Sequence, residues 1–391
     1  MKKALFFLLL LLVSCSRDTH QVTDDKLRAY FEKSTIPAAI MGSTDDKGNT
    51  VYFAYGPAIW GQGGTVSPDN IFRIYSMTKA IASVAAMQLV EQGRIKLDEP
   101  LNTLMPEMGS IPILDDQGNL SSSDEPITLR QLLTHTSGFS YSFISPLLGK
   151  FKPEQWKYDD MPRTFRPGTS WDYGTSTDWV GKVIEKISGK TLETYLREHV
   201  TGPLKMNSTW FNVPTELSDR IVSWGNRDST RRIVEFPRLP KEPATKFSAG
   251  GGLFSSPSDY MIFLQCLLNY GELNGVRILK KETVELMLTD QLPATVHLNA
   301  GDWGSGPNLG DFGDPNDRWG LAWAIEANPD EKVRPLGAVY WAGAANSYYT
   351  LDVKNKIAVV YFTQFFPFMD KESFDFYRLF ENQVYPKVKV K

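Results

Sequence analysis

The chain has 391 residues, of which 42% are hydrophobic and 12% aromatic, so it can bury the core of one large domain or of two interleaved ones. Its 42 basic and 45 acidic residues nearly cancel and form no Lys/Arg cluster, which argues against a nucleic-acid partner. Two cysteines with no C-x-x-C pair offer neither a disulfide framework nor a thiol metal or redox motif.

Residues 1–14 read as a secretory signal: Met1-Lys2-Lys3 supplies the charged start, and the apolar run from Ala4 to Val13 is too short to span a bilayer. The run ends Leu12-Val13-Ser14-Cys15, which looks like a bacterial lipobox and implies lipid modification of Cys15. Residues 15–24 would then be the lipidated N-terminus and a polar linker. The expected location is the bacterial cell envelope, lipid-anchored on the periplasmic or outer surface, with the membrane as a partner through that anchor. The other cysteine, Cys266, falls in an apolar helical run and reads as core.

Residues 25–391 form the expected catalytic body. A helix is predicted over 25–33, followed by strands at 38–41 and 51–55 joined by the turn residues Asp45-Asp46-Lys47-Gly48-Asn49. Gly61-Gln62-Gly63-Gly64 precedes no helix and reads as a loop, not a phosphate cradle. Ile71-Phe72-Arg73-Ile74-Tyr75 then leads into a helix beginning at Ser76. In it Met77, Ile81, Val84, Ala85 and Leu89 recur at helical spacing while Ala80, Ala82, Ser83 and Ala86 keep the other faces small, the pattern of a buried helix. A serine at its first turn sits where backbone N–H groups and the positive dipole end favour developing negative charge. Lys79 lies one turn further on the same face, within reach of the serine hydroxyl, where a buried amine can accept or shuttle a proton. An S-x-x-K match arises by chance in most chains of this length, so the pair needs partners.

From about residue 97 short helical patterns alternate with Pro, Gly and Asp. Thr128 caps a predicted helix through 135 that Gly138 ends, Ser176 or Thr177 caps a second closed by Gly189, and Thr191 caps a third stopped by Gly202-Pro203. The run Ser248-Ala249-Gly250-Gly251-Gly252-Leu253-Phe254 precedes Ser256-Pro257-Ser258-Asp259, a helix start by cap, proline and acid. The loop at 299–317 is rich in Gly, Asp and Asn, but its oxygens lack the ordered spacing of a calcium loop. Strands follow at 339–343, 348–353 and 357–362, and Phe374, Tyr377 and Phe380 mark a closing helix. Strands at both ends suggest one sheet built from 25–96 and 247–391, with a mainly helical insertion at about 97–246.

Nearly the whole of residues 25–391 resembles the serine β-lactamase and penicillin-binding protein superfamily, in the branch of class C β-lactamases, DD-peptidases and family VIII carboxylesterases, and is most similar to the last. The resemblance runs through Phe72-Arg73-Ile74-Tyr75-Ser76-Met77-Thr78-Lys79, Leu132-Leu133-Thr134-His135-Thr136-Ser137-Gly138, Pro167-Gly168-Thr169-Ser170-Trp171-Asp172-Tyr173, Ser248-Ala249-Gly250-Gly251-Gly252-Leu253, Trp319-Gly320-Leu321-Ala322-Trp323 and Trp341-Ala342-Gly343-Ala344, in that order. It implies an α+β fold of the β-lactamase/transpeptidase type, an antiparallel sheet flanked by helices with an inserted mainly helical domain, and no cofactor.

The resemblance also implies roles. Ser76 is the nucleophile, Lys79 and Tyr173 manage the proton, and the backbone N–H groups of Ser76 and Ala344 form the oxyanion hole. Thr175 stands where the family carries Asn or Ser to hold an acyl-amide group. Gly343 would let substrate approach the strand. Trp341 replaces the Lys or His that meets a substrate carboxylate, so a neutral ester fits better than an anionic β-lactam or peptide. His135 has no G-x-S-x-G elbow beside it and reads as structural, and no metal-ligand spacing is present. The expected function is a serine hydrolase acting on carboxylic esters through an acyl-enzyme. The alternatives are a β-lactamase or DD-peptidase acting on cell-wall-derived substrates, and a non-catalytic envelope protein that binds them.

Overall fold

The computed structural model describes residues 23–151, 161–238, 242–298, 314, 316–328 and 334–385. Residues 1–14, read from the sequence as a signal peptide, Cys15 and nearly all of the 299–317 loop lie outside the described residues.

The first helix, α1 (Asp24–Lys33), is followed by a hairpin of β1 (Ala39–Asp45) and β2 (Thr50–Tyr55), in which Asp45 Oδ1 accepts from the N–H groups of Lys47 and Asn49. The last part of the chain supplies β3 (Arg318–Trp319), β4 (Ala324–Ile325), β5 (Val339–Gly343), β6 (Ser347–Asp352) and β7 (Ile357–Phe362). These join the hairpin in one seven-stranded sheet of order β3-β4-β5-β6-β7-β1-β2, every neighbouring pair antiparallel. The two ends of the chain therefore share a sheet, and the α+β, β-lactamase/transpeptidase-like fold expected from the sequence is the fold observed.

The alternation of strand side chains assigns the two faces. Tyr348 stacks on Tyr377 of the closing helix, here α5 (Lys371–Val384), and α1 joins the same layer through Tyr30 stacked on Phe376 at 5.0 Å. The next residue, Tyr349, turns to the other face and meets Tyr260 of α4 (Pro257–Leu268) at 5.3 Å. Trp341, paired with Tyr349 across β5 and β6, shares that second face. Both faces of the central strands are covered, which explains why β6 is buried at every position and β7 at all but its first.

Beyond α4 lies α2 (Thr78–Glu91), buried nearly all round as its small-residue faces predicted, and against it α3 (Ser176–Ser188). Three helix boundaries near the site differ from the sequence reading. The α2 helix starts at Thr78, and Ser76 occupies a 3-10 turn (Tyr75–Met77), because the Thr78 hydroxyl accepts from Leu253 N and Ile74 N donates to Leu253 O. The α3 helix begins at Ser176 with Thr175 at the N-cap position and no side-chain cap, the Ser176 hydroxyl being engaged with Ser137 Oγ at 2.9 Å. The helix capped by Thr128 ends at Leu133, because His135 takes a φ of +57°. The Thr128 cap itself is a full capping box with Gln131.

Candidate active site

Four segments meet on the inner side of the sheet: the 3-10 turn at Ser76, the loop before α3, the Ser248–Phe254 segment and the end of β5. Tyr75 enters the turn with a φ of +45°, a conformation that costs an aromatic residue about 1–3 kcal/mol. The surroundings hold it there. Its ring lies 4.8 Å from the Arg73 guanidinium and edge-on to Phe366, while Tyr260 OH donates to Met77 O at 3.1 Å. Ser76 is left half-buried at the head of α2.

Lys79 is the hub of the site. Its side chain is buried, and Nζ donates to Ser76 Oγ at 3.2 Å, to Tyr141 OH at 3.1 Å and to the Gly250 carbonyl at 2.6 Å. Among the described residues no carboxylate lies within ion-pair distance of it. Nζ also sits 4.7 Å from the centre of the Tyr173 ring. The Tyr173 hydroxyl accepts from Trp341 Nε1 at 3.1 Å, so the indole N–H that the sequence left unassigned is directed at the phenol.

Ser76, Lys79, Tyr173 and Trp341 are thus brought into one connected group. Gly343 is adjacent: a Cβ there would stand 2.4 Å from Ile74 O, so the glycine lets β5 press against the Ser76 turn. Ala344 follows at the strand end, half-buried. Thr175 is buried at the head of α3, and its hydroxyl does not cap the helix.

His135 packs against Tyr173 at 4.8 Å and Trp319 at 5.4 Å, and its Nδ1 accepts from Gly174 N at 3.4 Å. Burial, and then the nearby Lys79, push its pKa well below the ordinary value, so the ring is neutral and shapes the Tyr173 loop.

Two members of the group were not singled out from the sequence. Tyr141 had no signal beyond its nearness to the Gly138 stop. Gly250 lay inside a quoted glycine run, but its contribution is a backbone carbonyl, which no side-chain pattern reveals. Tyr141 also stacks on Phe143 at 4.9 Å, and Phe143 is 69% exposed, giving the site an aromatic rim.

Asp172, next to Tyr173, is raised by burial to about 6, with Ser140, the Tyr173 N–H and Thr164 acting against the rise. An acid whose folded pKa exceeds its unfolded value contributes stability below the unfolded pKa and loses it as pH rises through the folded one. Relative to Asp172→Asn, the wild type should therefore lose on the order of 2 kcal/mol between pH 4.5 and 8. Denaturant unfolding of both proteins at the two pH values checks this, and a difference that does not change with pH would contradict it.

A family model described as beta-lactamase matches residues 23–382. Monacolin J acid methylbutanoyltransferase of Aspergillus terreus is 30% identical, over 95% of this chain and 97% of its own. Lovastatin esterase of Penicillium rubens is 28% identical, over 86% and 91%. Among solved structures, unliganded selenomethionyl simvastatin synthase from Aspergillus terreus superposes with a TM-score of 0.83 at 27% identity, covering 94% of this chain and 98% of that one.

Proposed function

The chain belongs to the beta-lactamase family, and from that premise we propose that it is a serine enzyme working on neutral carboxylic esters through an acyl-enzyme. The observation that carries this reading is Trp341. At the position where the family pattern has a cation, the structure has a buried indole whose N–H is directed at Tyr173 OH. An apolar ring there gives no counter-charge to the carboxylate of a β-lactam or a peptide terminus, and suits an uncharged ester.

In the proposed reaction Ser76 Oγ attacks the ester carbonyl. Its proton passes to the Lys79 and Tyr173 pair, and the N–H groups of Ser76 and Ala344 hold the oxyanion. The carbonyl re-forms as the C–O bond to the alcohol breaks, and the same pair returns the proton to the departing alkoxide. A second oxygen nucleophile then gives its proton to the pair and takes the acyl group, and as the bond from the acyl carbon to Ser76 Oγ breaks the pair returns that proton to Oγ, freeing Ser76. Water makes this an esterase; an alcohol makes it an acyltransferase. The relatives named a methylbutanoyltransferase and an esterase support acyl-ester chemistry and differ in that acceptor.

The test is release of p-nitrophenol from a short-chain p-nitrophenyl ester, with and without a primary alcohol. Turnover is expected, and a new ester alongside free acid would identify alcohol as a competent acceptor. A chain that ignores such esters but is acylated by a penicillin would move the assignment to β-lactam or peptide substrates. Failure of every acylating probe would leave a binding role.

A further inference from the structure

Behind the glycine whose carbonyl receives Lys79 lies a buried carboxylate that does not itself touch the lysine. Asp178, in the first turn of α3, is buried, and its Oδ1 accepts from Ser248 Oγ at 2.6 Å and from Gly250 N at 3.0 Å. Its Oδ2 has no hydrogen-bond partner among the described residues. The carboxylate lies flat against the Gly250 backbone: a Cβ on Gly250 would meet Oδ2 at 2.5 Å and Cγ at 3.0 Å, so no larger residue fits between them. From the same glycine the carbonyl receives Lys79 Nζ at 2.6 Å, the shortest of the lysine's three bonds.

The chain around Gly250 is clamped on both sides. A Cβ on Gly181 of α3 would meet Ala249 Cβ at 2.8 Å, and Leu253 N donates to Thr78 Oγ1 at 3.2 Å beside the nucleophile turn. Three glycines in succession give this segment a pliant backbone, and an aim held by backbone alone would be poorly defined. The two bonds to Asp178 Oδ1 remove that freedom.

The geometry points to Asp178 as a positioning residue for Lys79. Its Oδ1 holds both Gly250 N and Ser248 Oγ, and Ser248 O accepts from Gly251 N at 3.3 Å. The peptide plane that Gly251 N shares with the Gly250 carbonyl sets the direction in which that carbonyl holds Nζ over Ser76 Oγ. This rests on the reading of Ser76 and Lys79 as the acylating pair. It deepens that reading by making the loop before α4 and the start of α3 part of the machinery, although neither supplies a side chain to the reacting atoms. The role needs an acceptor oxygen at Oδ1. Because Oδ2 is unpartnered, the amide nitrogen of an asparagine would replace an atom that makes no hydrogen bond.

The experiment uses the full chain and a p-nitrophenyl ester, with fluorophosphonate labelling as baseline. Labelling of wild type but not of Ser76→Ala establishes the acylating serine; its absence would sink the parent reading and this one with it, whereas failure of this proposal alone leaves wild-type labelling intact. Given that baseline, Asp178→Ala is expected to lower kcat roughly 30-fold while KM stays within about twofold, the mark of a misaimed group remote from substrate. Asp178→Asn should recover most of the loss, to within about fivefold of wild type. If Asp178→Ala does not accumulate folded, Asp178→Ser, too short to span to Gly250, carries the same comparison. A folded Ala or Ser variant with near-wild-type kcat, a loss shared equally by KM, or an Asn variant as slow as Ala would each overturn the proposal.

Discussion

Replacing Ser76 by alanine is expected to lower ester turnover by about 10⁴-fold or more and to abolish fluorophosphonate labelling, with the fold unchanged. Removing Oγ takes away the atom to which the acyl group would be attached, so no rearrangement of Lys79 or Tyr173 can restore the covalent route. The fold should tolerate the change because the turn is held by other groups. Ile74 N bonds to Leu253 O, Met77 N to Ile74 O, and Met77 O accepts from Tyr260. The alanine Cβ occupies the place of the serine Cβ, and the thermal midpoint should move only slightly. Measuring kcat, labelling and thermal unfolding on one preparation separates the outcomes. A folded variant that still turns over ester at more than about 1% of the wild-type rate would rule out Ser76 as the nucleophile.

Lys79→Met should lower kcat by about 10³-fold with little change in stability. Methionine has a similar length and fills the apolar channel beside the Tyr173 ring, but it cannot exchange a proton with Ser76. The stability terms oppose one another. The bonds to Ser76, Tyr141 and Gly250 are lost, at about 1 kcal/mol each. Against this, a buried ammonium without a carboxylate in ion-pair range among the described residues no longer has to be desolvated, a relief of several kcal/mol at most. The net shift should lie within about 2 kcal/mol in either direction. Stopped-flow acylation and denaturant unfolding measure the two effects separately. Acylation within tenfold of wild type in the folded variant would remove Lys79 from the proton route.

What the sequence determined by itself is local. The hairpin at Asp45, the caps at Thr128, Thr191 and Ser256, the buried character of α2 and the one-turn spacing of Ser76 and Lys79 all depend on residues within a few positions of one another, where periodicity and capping act. The motif order carried the fold as well. The tertiary structure alone decided the environment of the lysine. Tyr141 and Gly250, its other two acceptors, lie 62 and 171 positions away along the chain. The same holds for the Trp341 N–H directed at Tyr173 across 168 positions, and for Asp178 reaching Gly250 across 72. A hydrogen bond of this kind depends on where two backbones are brought by sheet order and helix packing, and on which rotamer the core leaves open. The shift of Ser76 out of the α-helix into a strained turn has the same origin. Its cause is the chain at Leu253 and Tyr260 pressing from the far side of the site, which the local sequence around Ser76 does not encode.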